Sequence, residues 1–435
     1  ADVAENMDYS IEHVSHEIEV MYNGYFFIND TIRIAGKASD GATLERFLVG
    51  FPYKYGSHVV RCVAYNASDI FNAALNVPLG NHMGFYAVEI SFPQPLDISN
   101  GKTQVFTVVF ILSNNLLTAS SPTDYTLDFP AYPSLTKTAT NCNVTIVPAE
   151  GAWNVTVIKD DGVVQASTYA KENLSAFTYS PARATFSVSG NEIQLFDIKE
   201  LKREIGINGI GEVEGSDTYY ITNKSPNEIN SVEIILPPNA SNPSAQDQLG
   251  RTMTTPQQID EETNSYRVTF TLPLESYEST RFTVRYYLPS QVYISTQEGA
   301  NNFSVAPLFF QDVDYHIEQG SITFVLPEGA RVQSPENTLT GSAYSLTRSV
   351  FQETVAITRQ DISYLESAIP SENVLRILYA YDPLWLSFRP TLLVWALAVV
   401  GCAVAFVWKR PKAPALVAVP AVAVRLRPEY IKSFV

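Results

Sequence analysis

An uncharged apolar stretch near the C-terminus constrains this chain more than any other feature. It runs from Thr391 to Trp408, TLLVWALAVVGCAVAFVW, and contains no charged side chain. An α-helix rises about 1.5 Å per residue, so a helix of this length crosses the hydrocarbon core of a bilayer. The alternative is a buried helix in the core of a soluble protein. It explains neither the absence of a polar face nor the cluster of basic residues at one end only. We therefore predict a transmembrane helix over 389–408 and a lipid bilayer as its environment.

The charges flanking this helix predict its orientation. Lys409, Arg410 and Lys412 follow it, and basic residues collect on the cytoplasmic side of a membrane span. Residues 409–435 are then a short basic cytoplasmic tail, and everything before the helix is exported, as in a type I membrane protein. Because the chain begins at Ala1 without an apolar leader, we also expect that a signal peptide has been removed.

The composition excludes one class of partner and favours β structure. The net charge of −16 leaves no basic surface that would neutralise phosphates, so nucleic acid is excluded as a partner. Only 17% of the residues are charged, whereas Tyr and Phe number 24 and 23. Aromatic side chains are enriched in strands, so this mixture predicts an exported β-rich protein.

An internal repeat predicts the organisation of the exported part. Five segments of the first half recur in the same order in the second half, about 180 residues later, which indicates a duplicated unit. The matched pairs are HEIEV (16–20) with REIGI (203–207), FLVGFP (47–52) with VEIILP (232–237), YAVEISFP (86–93) with YRVTFTLP (266–273), VFTVVFIL (105–112) with RFTVRYYL (281–288), and VTIVPAEGA (144–152) with ITFVLPEGA (322–330).

The predicted fold is therefore mainly β, with two homologous β-sandwich-like ectodomains followed by one transmembrane α-helix. The first ectodomain spans 1–195 and the second spans 196–362. A juxtamembrane segment over 363–388 joins them to the membrane helix, and Ser371 is a candidate cap for a short helix within it.

Asparagines in the N-x-S/T pattern lie only before the membrane helix, which fits a glycosylated exterior. We predict N-glycosylation at Asn29, Asn66, Asn143, Asn154, Asn173, Asn223, Asn239 and Asn302.

The cysteines allow one disulfide. Cys402 lies in the membrane helix, whereas Cys62 and Cys142 both lie in the exported half, where oxidation is permitted. We predict that Cys62 pairs with Cys142. Two free buried thiols remain the alternative, because sequence alone does not place the residues within bridging distance.

No pattern of residues predicts catalysis, a cofactor or a metal. His13 and His16 point to opposite faces of a strand, which suits joint metal ligation poorly. The glycine-rich run GINGIGEVEG (206–215) carries two glutamates that would repel phosphate, so it predicts a β turn. Asp312 and Asp314 share a strand face, yet a solvated surface explains them better than calcium does.

Three segments resemble a known family. They are FSVSGNEIQLFDIKELKREIGINGIGEVEGSDTYYITNKS (186–225), FTVRYYLPSQVYI (282–294) and DYHIEQGSITFVLPEGARVQSPE (314–336). Together with the duplicated ectodomain and the single span, they resemble ribophorin I, a non-catalytic subunit of the oligosaccharyltransferase complex. The composition fits an archaeal-type relative as well. The resemblance therefore implies either the endoplasmic reticulum membrane or an archaeal cell membrane.

The resemblance implies an accessory role in N-glycosylation of exported proteins. The chain would bind the catalytic multi-pass subunit, other membrane subunits and, in one version, the acceptor substrate. We expect the membrane helix to contact its partner through the small residues Ala398, Gly401 and Ala405, which share one helix face. The alternative is a membrane-anchored cell-surface structural or adhesion glycoprotein without an enzyme partner.

Overall fold

Strands dominate the protein, which confirms the predicted mainly-β fold class. The computed structural model describes residues 9–189, 192–297, 300–304, 313–337, 343–349, 351–363, 375–381 and 385–409. The chain divides into two compact units, Ala1–Asp382 and Pro383–Val435. The first unit holds every strand among the described residues, and the second holds the apolar helix.

Fifteen strands lie within the described residues before position 190. In chain order they are β1 (Tyr9–Val20), β2 (Phe26–Gly36), β3 (Thr43–Pro52), β4 (Val59–Tyr65), β5 (Ile70–Leu79), β6 (His82–Asp97), β7 (Thr103–Leu112), β8 (Leu117–Ala119), β9 (Asp124–Pro130), β10 (Ser134–Leu135), β11 (Ala139–Val147), β12 (Trp153–Lys159), β13 (Gly162–Val164), β14 (Thr168–Leu174) and β15 (Pro181–Ser187). Short 3-10 turns lie at Tyr53–His58 and Asn114–Leu116. The strands form a ten-stranded sheet, β10-β3-β6-β5-β4-β7-β2-β1-β11-β14, and a five-stranded sheet, β13-β12-β15-β9-β8.

Fourteen further described strands follow. They are β16 (Phe196–Ile207), β17 (Val213–Asn223), β18 (Ile229–Ile235), β19 (Ser241–Asp247), β20 (Gln257–Asp260), β21 (Ser265–Leu274), β22 (Ser279–Leu288), β23 (Ile294–Gln297), β24 (Ala300–Ser304), β25 (Ile317–Val325), β26 (Arg331–Asn337), β27 (Ala343–Arg348), β28 (Glu353–Ile362) and β29 (Leu375–Ala380). A single helical turn, α1 (Ser290–Tyr293), precedes β23. The sheets have the orders β19-β22-β17-β16-β25-β28-β27, β18-β21-β20 and β23-β24-β29-β26.

The two largest sheets share a five-strand arrangement. The order β7-β2-β1-β11-β14 in the first sheet corresponds to β22-β17-β16-β25-β28 in the second. In each, the central strand pairs in parallel with one neighbour, β1 with β11 and β16 with β25, and antiparallel with the other. The five segment pairs that recur in the sequence lie on β1 and β16, β3 and β18, β6 and β21, β7 and β22, and β11 and β25. The recurring segments thus occupy corresponding strands of the two halves.

Buried apolar side chains form two large cores. Alternate residues of β1, such as Ile11 and Ile18, point into the first core, which reaches from Tyr9 to Leu195. The second core begins at Phe196 and reaches Tyr379, and one residue of the first half, Tyr22, also packs in it. The chain therefore changes core between residues 195 and 196.

The turn between β1 and β2 joins the two halves into one unit. Asn23 donates its side-chain amide to the carbonyl of His316 (2.9 Å) and accepts the backbone N–H of His316 (3.1 Å). The ring of Tyr25 stacks on the imidazole of His316 at a centroid distance of 4.3 Å. Gly24 adopts a φ of +80°, and a Cβ there would lie 2.4 Å from the side chain of Leu195. Only glycine fits this close contact.

Two tyrosine hydroxyls, one of them from this turn, cover the edge of β18. The backbone N–H groups of Glu233 and Ile235 donate to the hydroxyl oxygens of Tyr22 (3.1 Å) and Tyr315 (3.4 Å). An uncovered strand edge is a template for pairing with another chain. The two tyrosines thus close this edge with side chains.

The apolar helix begins earlier than the sequence indicates. Helix α2 spans Trp385–Trp408, so it begins four residues before the predicted span of 389–408, and it includes Pro390. Pro390 is the sixth residue of the helix and has no N–H, so it cannot donate to the carbonyl four residues earlier. Residues Pro390–Trp408 have a mean hydropathy of 2.3, which suits a membrane span by length and composition.

The short helix predicted after residue 362 is wrong in the part that the structure describes. Leu375–Ala380 is strand β29, which pairs with β24 and β26, and Ile377 and Tyr379 are buried in the second core. The candidate cap Ser371 lies outside the described residues. The second β half therefore reaches residue 380 rather than ending at 362.

Candidate functional site

The histidines and acidic residues considered as metal ligands have structural roles or lie apart. Within the described ranges, no three His, Cys, Asp or Glu side chains converge as metal ligands would. Asp314 lies before β25, and Asp312 lies outside the described residues. The glycine-rich run forms the turn between β16 and β17, where the Asn208 side-chain oxygen accepts the N–H groups of Ile210 and Glu212. The predicted β turn is confirmed.

A buried cross-strand pair of a basic side chain and an aspartate occurs at the same place in both halves. In the first half, His16 on β1 faces Asp30 on β2, with 2.5 Å between Nδ1 and Oδ1. In the second half, Arg203 on β16 faces Asp217 on β17, and the guanidinium donates to both carboxylate oxygens at 2.8 and 2.6 Å. All four side chains are at most 3% exposed.

The partners of each pair complete its hydrogen bonding. His16 Nε2 lies 3.0 Å from the carbonyl oxygen of Pro130, and Tyr286 donates its hydroxyl to Asp217 at 2.8 Å. Burial alone would lower the pKa of Arg203, but the Asp217 carboxylate raises it above its ordinary value. Arg203 therefore stays charged inside the core, where only a bidentate partner compensates for lost solvation.

The predicted disulfide is absent, and both cysteines are free thiols. Cys62 lies on β4 and Cys142 on β11, and strands β7, β2 and β1 lie between them in the sheet. Neighbouring strands lie about 4.8 Å apart, whereas a disulfide requires Cα atoms within about 7 Å. Burial raises the pKa of both thiols, and the nearby Asp30 carboxylate raises it further. Cys142 is buried and Cys62 is half-buried, and the raised pKa keeps both as thiols rather than as reactive thiolates.

The sequon asparagines differ in accessibility. Asn143, Asn154, Asn173 and Asn239 are exposed, and Asn66 is half-buried in the turn between β4 and β5. Positive φ angles at Asn154, Asn173 and Asn239 place these residues where the backbone turns. These sites can be reached from solvent.

In two other sequons the asparagine side chain is shielded from solvent in the folded protein. Asn223 is fully buried, and its amide nitrogen donates to the carbonyls of Asn227, Leu274 and Glu275 at 2.8, 2.9 and 3.2 Å. Asn29 is half-buried in the middle of β2, and its side-chain oxygen is shielded from solvent. The side chain of Asn302, on β24, lies outside the described part.

The small residues expected to contact a partner lie on the exposed surface of α2. Ala398, Gly401 and Ala405 are all exposed, and no atom lies within 4 Å of the position that a Cβ of Gly401 would occupy. Their spacing of three and then four residues places them on one face. A neighbouring helix can therefore approach this face closely.

Sequence comparison identifies the second half. A model of the Ribophorin I family matches residues 222–409. This region belongs to the ribophorin I family. The family expected from the sequence is thus confirmed, and the ribophorin I match runs from the end of β17 through the second β half to the end of α2. A comparison with curated proteins gives no match.

Some solved structures align with parts of this chain at low similarity. An M1 zinc metallopeptidase from Deinococcus radiodurans aligns at 15% identity and a TM-score of 0.28, covering 42% of each chain. An aminopeptidase N family protein from Idiomarina loihiensis aligns at 10% identity and a TM-score of 0.26, covering 39% of this chain and 29% of that one. The chain thus spans less than half the length of either.

Proposed function

We propose that this protein is a non-catalytic accessory subunit of a membrane oligosaccharyltransferase complex. In this role it supports N-glycosylation of exported proteins by binding the catalytic multi-pass subunit. The observation that carries the proposal is the ribophorin I match over 222–409, because it includes both the second β half and the apolar helix. Ribophorin I is the family whose members act as non-catalytic subunits of that enzyme.

The β unit suits a positioning role. Two cores are linked by the buried turn Met21–Tyr25, so the two halves form a single compact unit. A subunit that holds an acceptor or an enzyme in place needs this stiffness, because a flexible linker would spread its bound partner over many positions.

In the proposed topology, α2 spans the membrane and the β unit lies on the exported side. The basic residues after Trp408 favour the cytoplasm, and the accessible sequons all precede the helix. The small-residue face of Ala398, Gly401 and Ala405 would then pack on a helix of the catalytic subunit, since lipid offers helices no hydrophobic reason to associate.

Depletion of the protein in its own cells tests the proposal. We expect lower sequon occupancy in several unrelated exported glycoproteins, measured by quantitative peptide mass spectrometry, and recovery on re-expression of the full chain. Re-expression with Trp385–Trp408 replaced by an unrelated apolar span is the matched control, because it keeps the anchor and removes the small-residue face. Unchanged occupancy after depletion would contradict the proposed function.

A further inference from the structure

The outer face of the seven-stranded sheet carries an open groove of about 310 Å³ near the free edge strand β19. On β16, the residues next to the core residue Ile205, namely Glu204 and Gly206, point away from the core. The same alternation on β17, β19 and β22 brings further outward residues to this place. The groove therefore lies on the sheet surface, on the side opposite the second core.

Two cross-strand rows build the groove. One row runs Glu204, Ser216, Arg285 and Ser244, each paired with the next on the neighbouring strand. The serines are short, so they leave space between the charged side chains on either side. The backbones of Glu204 and Arg285 are two strand spacings apart, about 10 Å.

The second row lies two residues further along the strands. It runs Gly206, Glu214, Tyr287 and Ser241. The floor at Gly206 is open, because the nearest atom to its missing Cβ is the Glu214 carbonyl oxygen at 4.0 Å. Tyr287 stands at the other side with 51% of its surface exposed, so one aromatic face is available to a ligand.

The opposite end of the same sheet face is closed by its own contacts. Lys202 Nζ and Arg281 Nη2 lie 2.9 and 3.5 Å from the Glu200 carboxylate. Arg281 also lies over the ring of Tyr220 at 4.6 Å. This end holds charged and aromatic residues of the same types as the groove, but they satisfy one another.

The groove end lacks such contacts. Within the described part of the chain, the side chains of Glu204, Glu214, Arg285 and Tyr287 make no hydrogen bond or ion pair with another side chain. Two acceptors, one fork of donors and one free aromatic ring thus surround a floor of small residues. A few placed polar groups around an aromatic surface are the usual composition of a ligand site.

We propose that this groove binds a carbohydrate chain, with the apolar face of one sugar ring stacked on Tyr287. The carboxylates can accept hydrogen bonds from sugar hydroxyls, and the guanidinium can donate hydrogen bonds to them. Because the groove holds both negative and positive side chains, it favours a neutral ligand that carries donors and acceptors. An extended peptide fits less well, because the backbone groups of the floor are already paired within the sheet. The site rests on this geometry and does not depend on the proposed function.

The carbohydrate can come from two sources. One is an oligosaccharide from outside the protein. The other is a glycan on this chain's own Asn239, which is exposed, has a φ of +61° and lies two residues before Ser241, the cross-strand partner of Tyr287. Both sources present the same sugar-ring chemistry to the groove.

Saturation-transfer NMR on the full chain in mild detergent tests the site, with N,N′-diacetylchitobiose and mannobiose as probes. We expect transfer to the ring protons of at least one probe and a drop of about tenfold in Tyr287→Ala. The matched control, Tyr220→Ala, replaces an aromatic residue at the closed end and should keep the wild-type signal. Tyr287 is half exposed, so the variant should fold, and an unchanged thermal midpoint verifies this.

The Asn239→Gln variant distinguishes the two sources. Binding by the wild-type chain supports an external oligosaccharide. Binding that appears only in Asn239→Gln, and disappears in Asn239→Gln combined with Tyr287→Ala, supports occupation by the protein's own glycan. The proposal is overturned if neither the wild type nor Asn239→Gln gives a signal that depends on Tyr287.

Discussion

At the scale of single residues, buried charged side chains give the clearest predictions about stability. Arg203 and Asp217 occupy the position in the second half that His16 and Asp30 occupy in the first. A buried pair adds little stability over a well-packed apolar pair, but loss of one partner leaves an uncompensated charge in the core. The cost of a substitution therefore depends on which partner remains.

We expect Arg203→Leu to lower the free energy of unfolding by about 3–5 kcal/mol, because Asp217 would be left buried without its cation. Urea unfolding followed by circular dichroism measures the change. Arg251→Leu is the control, since Arg251 also pairs with an aspartate, at 2.7 Å, but is 64% exposed. Equal effects of the two substitutions would show that the buried pair has no special cost.

Buried tyrosines predict loss of stability in alkali. Burial raises the pKa of Tyr125 to about 12, and its hydroxyl donates to the Ile193 carbonyl at 2.8 Å. Tyr125 is fully protonated in both states below the unfolded pKa, near 10, so its contribution is constant there. Between pH 10 and 12 the unfolded state loses the proton first, and stability falls by up to about 1.4 kcal/mol per pH unit for this residue.

Urea midpoints at pH 8, 10 and 11 measure this slope. We expect Tyr125→Phe to unfold with a shallower loss of stability above pH 10 than the wild type. Tyr179→Phe, which alters a tyrosine that is 53% exposed, should keep the wild-type slope. Identical slopes in the three proteins would refute the role of burial.

The sequons give a prediction based on exposure. We expect glycan at Asn239 and none at Asn223, because the amide nitrogen of Asn223 is buried and donates to three carbonyls. Peptide mass spectrometry of the protein from its own membranes measures both sites in one digest. Glycan at Asn223 in folded, soluble protein would mean that this strand end is not closed as described.

At the scale of elements, the strands hold the recurring segments, and the helix is long and apolar enough to span a membrane. The five recurring segments lie on corresponding strands of the two halves. Each strand buries alternate residues in the core of its own half, and this requirement maintains the same alternation in both sequences. Helix α2 has no such alternation. From Leu392 to Trp408 it contains only apolar and small residues, and the small residues alone distinguish one face from another.

We expect Ala398→Leu, Gly401→Leu and Ala405→Leu together to lower recovery of a multi-pass partner about fivefold or more, since larger side chains keep the two helices apart. Ala396→Leu with Ala403→Leu is the matched control, because these alanines lie on the opposite face. Immunoprecipitation in mild detergent measures both. Equal recovery would show that the β unit alone makes the contact.

The elements also show what the sequence can predict. The span and the strands of the repeat are visible because their patterns are local in sequence. The pairing of Cys62 with Cys142 failed because sequence does not reveal that three strands intervene. The buried pairs of a basic residue and an aspartate were missed, although HEIEV and REIGI align His16 with Arg203, and an aspartate follows each after 14 residues. The groove required strand order, which no local pattern contains.

At the scale of the whole molecule, the β halves form one body and the apolar helix forms a separate unit. Tyr22 of the first half packs in the second core, and its hydroxyl accepts the N–H of Glu233 at the edge of β18. Separation of the halves would therefore expose apolar surface and leave this N–H without its partner. The ribophorin I match begins within the second half and ends after the helix. The match therefore includes the second β half and the apolar helix, and the proposed membership of an oligosaccharyltransferase complex rests on this match.

Affinity purification of the full chain from its own membranes tests this membership most directly. We predict recovery of a multi-pass membrane protein in a fixed ratio to this chain. We also predict that the purified fraction transfers a lipid-linked glycan to a peptide containing N-x-S/T. Recovery of the chain without a multi-pass partner and without transfer activity would contradict the account, and would favour a cell-surface structural or adhesion protein.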